Sequence, residues 1–193
     1  MKFLKTAIAA ARHVKLRTQL LLTRPSSEPK VFCIGFNKTG TTSAGRALKQ
    51  LGFRHSTFNR WIWRRYQAGD IERVLWYASR FESFDDLPWL SVDLIPVLDR
   101  EFPGSRFILL ERPESEWVSS FVRWTRKIRG READPEMALN SYREHRRFCQ
   151  EYFADRPDDL LCMSVQDDDA FTRLAHFVGR EAPSERFPHV NVT

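Results

Sequence analysis

The stretch Gly35-Phe-Asn-Lys-Thr-Gly-Thr-Thr42 constrains this 193-residue chain more than any other feature. It continues from an apolar run, Val31 to Phe36, that reads as a buried strand. It leads into a segment where Ala44, Ala47, Leu48 and Leu51 recur at helical spacing until Gly52 stops it. Two glycines let the backbone curl between strand and helix. The amides of the loop and first helical turn then converge on one spot, where an anion is the favoured occupant. Thr41 and Thr42 add hydroxyl donors, so the expected ligand is a phosphate or a close relative.

A nucleoside-triphosphate loop would carry lysine directly after its second glycine, followed by a hydroxyl for magnesium. Here Thr41 occupies that place. The lysine is Lys38, two residues before Gly40, which puts the cation on the opposite rim of the amide nest. From there it can reach a bridging or leaving oxygen. A second pattern lies downstream, where the apolar run Phe107-Ile-Leu-Leu-Glu-Arg112 is followed by Ser120 eight residues after the arginine. An arginine fork at a strand end and a hydroxyl two turns into the next helix can clamp one phosphate from two sides.

With both motifs present, the chain resembles the sulfotransferases that depend on 3'-phosphoadenosine 5'-phosphosulfate (PAPS), whose loop has the form KxGTT at the end of the first strand. The resemblance implies that Lys38 contacts the 5'-phosphosulfate and stabilises the departing phosphate, while Thr39, Gly40, Thr41, Thr42 and Ser43 hold that phosphate. It likewise places the 3'-phosphate on Arg112 and Ser120. PAPS is then a co-substrate, adenosine 3',5'-bisphosphate the product, and a hydroxyl or amine of a small molecule or glycan the acceptor. Such chemistry requires no metal. The similarity runs over residues 30–193, because the tail FPHVNVT is similar to the Phe-Pro-His-x-Asn ending of small bacterial members. Two features differ from the cytosolic enzymes: Ser43 stands where they have tryptophan, and no clear RKG loop follows, which leaves the adenine-stacking residues unassigned.

An acceptor hydroxyl needs a base within hydrogen-bond reach. In Phe84-Asp-Asp-Leu-Pro-Trp89, Asp86 precedes Leu-Pro as the catalytic histidine of the cytosolic branch precedes its own, so Asp86 is the expected base. Capping the turn before Pro88 is its structural alternative. Asp93 and His55 are further candidates, and His189 reads as structural.

Strands alternating with helices predict one three-layer α/β domain over residues 30–193, a parallel sheet flanked by helices as in the P-loop nucleotide hydrolases. Expected strands are Val31 to Phe36, Arg106 to Leu110 and Leu160 to Val165. Expected helices are Phe58 to Tyr66, Ile71 to Phe81, Val92 to Phe102, Glu114 to Ile128, Pro135 to Phe153 and Asp168 to Val178. Residues 23–29, TRPSSEP, read as a linker.

The net charge of +6 suggests nucleic acid until it is counted by segment. Residues 1–30 hold seven Lys/Arg against one acid, whereas residues 31–193 hold 24 of each sign, and a balanced fold argues against a nucleic-acid footprint. Within residues 1–22, Leu4, Ile8, Ala11 and Val14 recur at helical spacing among Lys and Arg. That pattern fits a basic amphipathic helix on an anionic membrane surface, or equally one packed on the domain itself. Lys5, Arg12 and Lys15 break any uncharged run well short of the ~18 residues a span needs. Cys33, Cys149 and Cys162 form no CxxC pair and read as small core residues, which suits a reducing, cytoplasmic setting.

Two other readings stay open. One is a P-loop kinase with Glu111 as an acidic magnesium ligand; the other is a non-enzymatic membrane or nucleic-acid module using the N-terminal helix and the arginines from Arg123 to Arg131. Trp61, Trp63, Tyr66, Trp76 and Trp89 can line an acceptor pocket or fill the core.

Overall fold

The protein is seen here in a computed structural model that describes residues 23–130, 133–184 and 186–188. The expected N-terminal helix and His189 lie outside the described residues. Among the described residues five strands are present: β1 (Val31–Cys33), β2 (His55–Ser56), β3 (Ser83–Phe84), β4 (Arg106–Leu110) and β5 (Leu160–Met163). They form one sheet in the order β2-β3-β1-β4-β5, and every pairing is parallel. Among the described residues the helices are α1 (Thr41–Gln50), α2 (Arg60–Gln67), α3 (Ile71–Ala78), α4 (Ile95–Glu101), α5 (Glu114–Arg129), α6 (Pro135–Tyr152) and α7 (Ala170–Phe177). None of them is long and apolar enough to cross a membrane.

Side-chain alternation divides the core into two layers. Phe32, Ile34, Phe84, Phe107 and Leu109 face α2, α3, α4 and α6 through Ile62, Val74, Tyr77, Ile95, Leu98, Cys149 and Phe153. Val31, Cys33, Ile108, Leu110 and Met163 face the other way, onto Ala44, Ala47 and Leu48 of α1 and Phe171 and Leu174 of α7. Because both faces of β1 and β4 are covered, their sequences are continuously apolar rather than alternating. A third, smaller cluster joins α5 to α6 through Trp117, Ala138 and Tyr142, with Phe36 packed against it. The fold is a three-layer α/β sandwich, as the strand-helix alternation implied.

The structure differs from the sequence expectation in instructive places. β2 and β3 are two residues long, too short for any periodicity, and only their pairing reveals them. The helix expected from Val92 starts at Ile95, because Pro96 lacks an N–H and is tolerated only in a first turn. Cys162 is half-buried, unlike the fully buried Cys33 and Cys149, because β5 is an edge strand.

β1 lies in the middle of the sheet, with the chain leaving it towards β2 on one side while β4 continues to β5 on the other. Its carboxyl end is therefore at a topological switch point, where such sheets form their ligand crevice. α1 crosses close over the neighbouring strand ends. A Cβ on Gly45 would lie 2.6 Å from Asp85 Oδ2 and 2.7 Å from His55 Nε2, and both of those side chains are buried. Gly45→Ala is expected to lower unfolding stability by about 1 to 3 kcal/mol through overpacking. Chemical denaturation will show this as a lower midpoint at unchanged slope; an unchanged midpoint would contradict the close approach.

Candidate functional site

At the end of β1 the backbone amide of Ile34 still bonds to Ile108 carbonyl oxygen at 2.9 Å, and then the chain leaves the sheet. Gly35 passes so close to β4 that a Cβ there would sit 2.7 Å from Leu110 Cβ. Lys38 follows with φ 73° and Gly40 with φ 108°, so two left-handed residues turn the loop back into α1. Gly40 is the N-cap of α1 and supplies no side-chain cap, and the helix has no acid in its first turn. Its leading amides are open to an anion. Within the loop, Thr39 is buried and its hydroxyl donates to Phe36 carbonyl oxygen at 2.7 Å. Thr39 therefore fixes the loop's shape, while Thr42 is exposed and Thr41 and Ser43 are buried at the helix start.

Three side chains that the sequence did not single out hold this loop from the α5–α6 side. Trp117 Nε1 donates to Asn37 carbonyl oxygen at 2.8 Å, and its ring stacks on Tyr142 at 4.6 Å with 9° between planes. Tyr142 hydroxyl accepts from the Arg112 amide and donates to the Arg112 carbonyl, each at 3.1 Å. His145 is buried with Nε2 2.7 Å from Ile34 carbonyl oxygen, and burial holds its pKa below the ordinary imidazole value. A neutral ring donating from Nε2 satisfies that carbonyl without a buried charge. Nothing in the sequence flags these residues, since each partner lies 30 or more positions away.

The structure brings Lys38 and Arg112 together. Arg112 Nη1 donates to Lys38 carbonyl oxygen at 3.4 Å, and its Nε pairs with Glu116 at 3.2 Å. Ser120 is buried one turn beyond Glu116 on the same stripe of α5. The Lys38 ammonium has its pKa lowered first by burial and then by three cations, Arg112, Arg123 and Lys127. An electropositive cluster of this kind is what an anionic ligand relieves.

Asp86 is one of two non-glycine residues with positive φ among the described residues, at 66°; Lys38 is the other. Such conformations cost of order 1 to 3 kcal/mol and collect at functional sites. The Asp86 Oδ1 atom accepts from Leu87 amide at 2.7 Å and from Asn37 Nδ2 at 3.3 Å, and neither bond uses Oδ2. Asp86 thus caps the turn before Pro88 through Oδ1 and leaves Oδ2 outside both bonds. Burial pushes its pKa up, the Leu87 amide opposes that, and the nearby Asp85 charge reinforces it.

The fallback candidates are held by other partners. His55 is enclosed between Ser83 Oγ at 2.8 Å and Asp85 Oδ1 at 3.3 Å, with its side chain 1% exposed. It cannot meet a substrate. Asp93 is exposed and accepts from Tyr66 hydroxyl at 2.6 Å. Glu111, the acid a kinase would need, turns to α6, where it meets Gln150 at 3.4 Å and Arg146 at 3.8 Å. Trp89 is fully buried in the core and not available to an acceptor.

A raised carboxyl pKa carries a stability signature. Ionised Asp86 is penalised in the fold, so its contribution should be unfavourable above its folded pKa and vanish as pH falls below the unfolded value. Asp86→Asn keeps the Oδ1 acceptor. It is therefore expected to be more stable than the parent near pH 7, with the difference closing towards acid pH in paired thermal melts. A gap that does not change with pH would remove the buried-carboxylate account.

A search of curated proteins returned no match. A family model described as a sulfotransferase domain matches residues 30–132 and 122–193, which together contain both the Lys38 loop and the Arg112–Ser120 segment. With most of its length matched and a five-stranded parallel sheet carrying that loop at its switch point, the chain belongs to the sulfotransferase domain family.

Proposed function

We propose that this sulfotransferase uses PAPS as donor and passes its sulfuryl group to a hydroxyl or amine acceptor, releasing adenosine 3',5'-bisphosphate. One observation carries the reading: Lys38, held in a left-handed conformation on the rim of an uncapped helix N-terminus, shares a cationic cluster with Arg112. The α1 amides with Thr41, Thr42 and Ser43 hold the 5'-phosphate, Thr39 keeps the loop's shape, and Gly40 permits its turn. Arg112 and Ser120 take the 3'-phosphate.

Transfer breaks the bond between sulfur and the bridging phosphate oxygen and forms one to the acceptor oxygen or nitrogen. Negative charge builds on the departing phosphate, and the Lys38 ammonium receives it. The acceptor proton passes to Asp86 Oδ2, whose raised pKa makes it a stronger base than an exposed carboxylate. Asn37 links the two roles, since its side chain bonds to Asp86 while its carbonyl is held by Trp117. A nucleotide kinase is disfavoured by Thr41 in the lysine position and by Glu111 facing α6.

Adenosine 3',5'-bisphosphate at 100 times its dissociation constant is expected to stabilise the fold by about 2.7 kcal/mol in a thermal melt. A shift with ATP and magnesium alone would overturn the donor assignment. Lys38→Ala is expected to reduce turnover by about 100- to 1000-fold with the melting temperature of the unliganded protein retained, in the range seen for loss of one charge-stabilising donor. Near-normal turnover would remove Lys38 from the chemistry.

A further inference from the structure

The donor accounts for only some of the positive charge around the loop. Lys38 with the α1 amides is matched to one anionic end of PAPS, and Arg112 with Ser120 to the other. Two more cations, Arg123 and Lys127, lie on α5 within the field of the Lys38 ammonium. They are three and seven residues past Ser120, on the stripe that also carries Glu116 and Ser120. At ~1.5 Å per residue this stripe runs onward from the 3'-phosphate residues by roughly one and two turns. Its register is set, because Trp117 is anchored to Asn37 carbonyl oxygen and Arg112 reaches Lys38 carbonyl oxygen.

Among the described residues no acid answers these two charges. Both side chains are exposed, and neither pairs with a carboxylate among the described residues. The acids of α5 are Glu114 and Glu116, which are committed to Arg143 and Arg112 respectively, and residues 117–129 contain none. Over residues 31–193, this stripe included, the two signs are equal in number, so the stripe is a local excess and not part of a general basic surface. Cations in the last turn of a helix complement its dipole, which accounts for part of Lys127. Arg123 is well before that turn.

Resting on the donor assignment above, we infer that Arg123 and Lys127 select an acceptor that carries its own anionic group, a carboxylate or sulfate on a hydroxyl-bearing molecule such as an acidic sugar. The acceptor hydroxyl meets the Lys38–Asp86 end of the site and its charge lies along α5. Placing like charges beside Lys38 without a resident acid leaves the enzyme poised for a substrate that brings the counter-charge, and long-range attraction then aids capture.

The test uses the full chain saturated with adenosine 3',5'-bisphosphate, titrated in a calorimeter with a heparin-derived tetrasaccharide and with neutral maltotetraose. The parent should bind the anionic probe at least tenfold more tightly, with the preference shrinking as salt rises. The Arg123→Glu/Lys127→Glu double variant should lose that preference while its affinity for the bisphosphate changes less than threefold. A thermal melt verifies that it is folded, and Arg123→Gln/Lys127→Gln should show the same loss to a smaller extent. Equal binding of the two probes by the parent, or a preference that survives charge reversal, overturns the inference. A tenfold loss of bisphosphate affinity in the double variant would reassign both cations to the donor and overturn it too. Failure of the parent to bind the bisphosphate at all would instead sink the donor assignment, and this inference with it.

Discussion

The parallel pairing of β1 with β4, Phe32 opposite Phe107 and Cys33 opposite Ile108, is the constraint from which the site follows. Parallel neighbours end at the same edge of a sheet, so the loops after both strands must emerge side by side. Gly35 makes the approach close enough that no side chain fits between it and Leu110. The result is that the Lys38 carbonyl and the Arg112 guanidinium, 74 residues apart in sequence, come within hydrogen-bond distance. Two cations are thereby held near one uncapped helix terminus, an arrangement that is unfavourable until an anion joins it.

Holding that arrangement falls to residues away from the expected ligand. The stacked Trp117 and Tyr142 rings form a platform under the loop, worth about 0.5 to 1.5 kcal/mol beyond their burial. From this platform one hydrogen bond fixes Asn37 and two fix the backbone of Arg112. On the other side, the buried Ser83, His55 and Asp85 side chains lie beneath Gly45, at the ends of strands that are only two residues long. Asp86 follows directly, its left-handed backbone held by the Leu87 amide and by Asn37. The loop and the carboxylate are thus joined through the Asn37 side chain.

Much of this was legible before folding. The strand-loop-helix around Lys38 and the strand, arginine and helix around Arg112 are contiguous in sequence, and contiguous features are read from periodicity and turn chemistry. β4 occupies the residues expected for it, and α5 extends one residue past its expected end. His55 shows where such reading fails. A histidine near a candidate site invites a catalytic role, yet its environment comes from Ser83 and Asp85, 28 and 30 positions on, and they enclose it. Glu111 is the reverse case, an acid at the right strand end that faces the wrong layer.

Local pattern determined that the chain would form a three-layer α/β domain with a glycine-containing turn between its first strand and a helix, because apolar runs, glycines and helical spacing act on near neighbours. The order of the strands, the side of the sheet each helix covers and the partners of each charge were decided only by tertiary structure. Strand order depends on which apolar faces pack together over long separations. Whether a cation is neutralised, as Arg143 is by Glu114, or left exposed within the field of another cation, as Arg123 is, depends on what folding brings beside it.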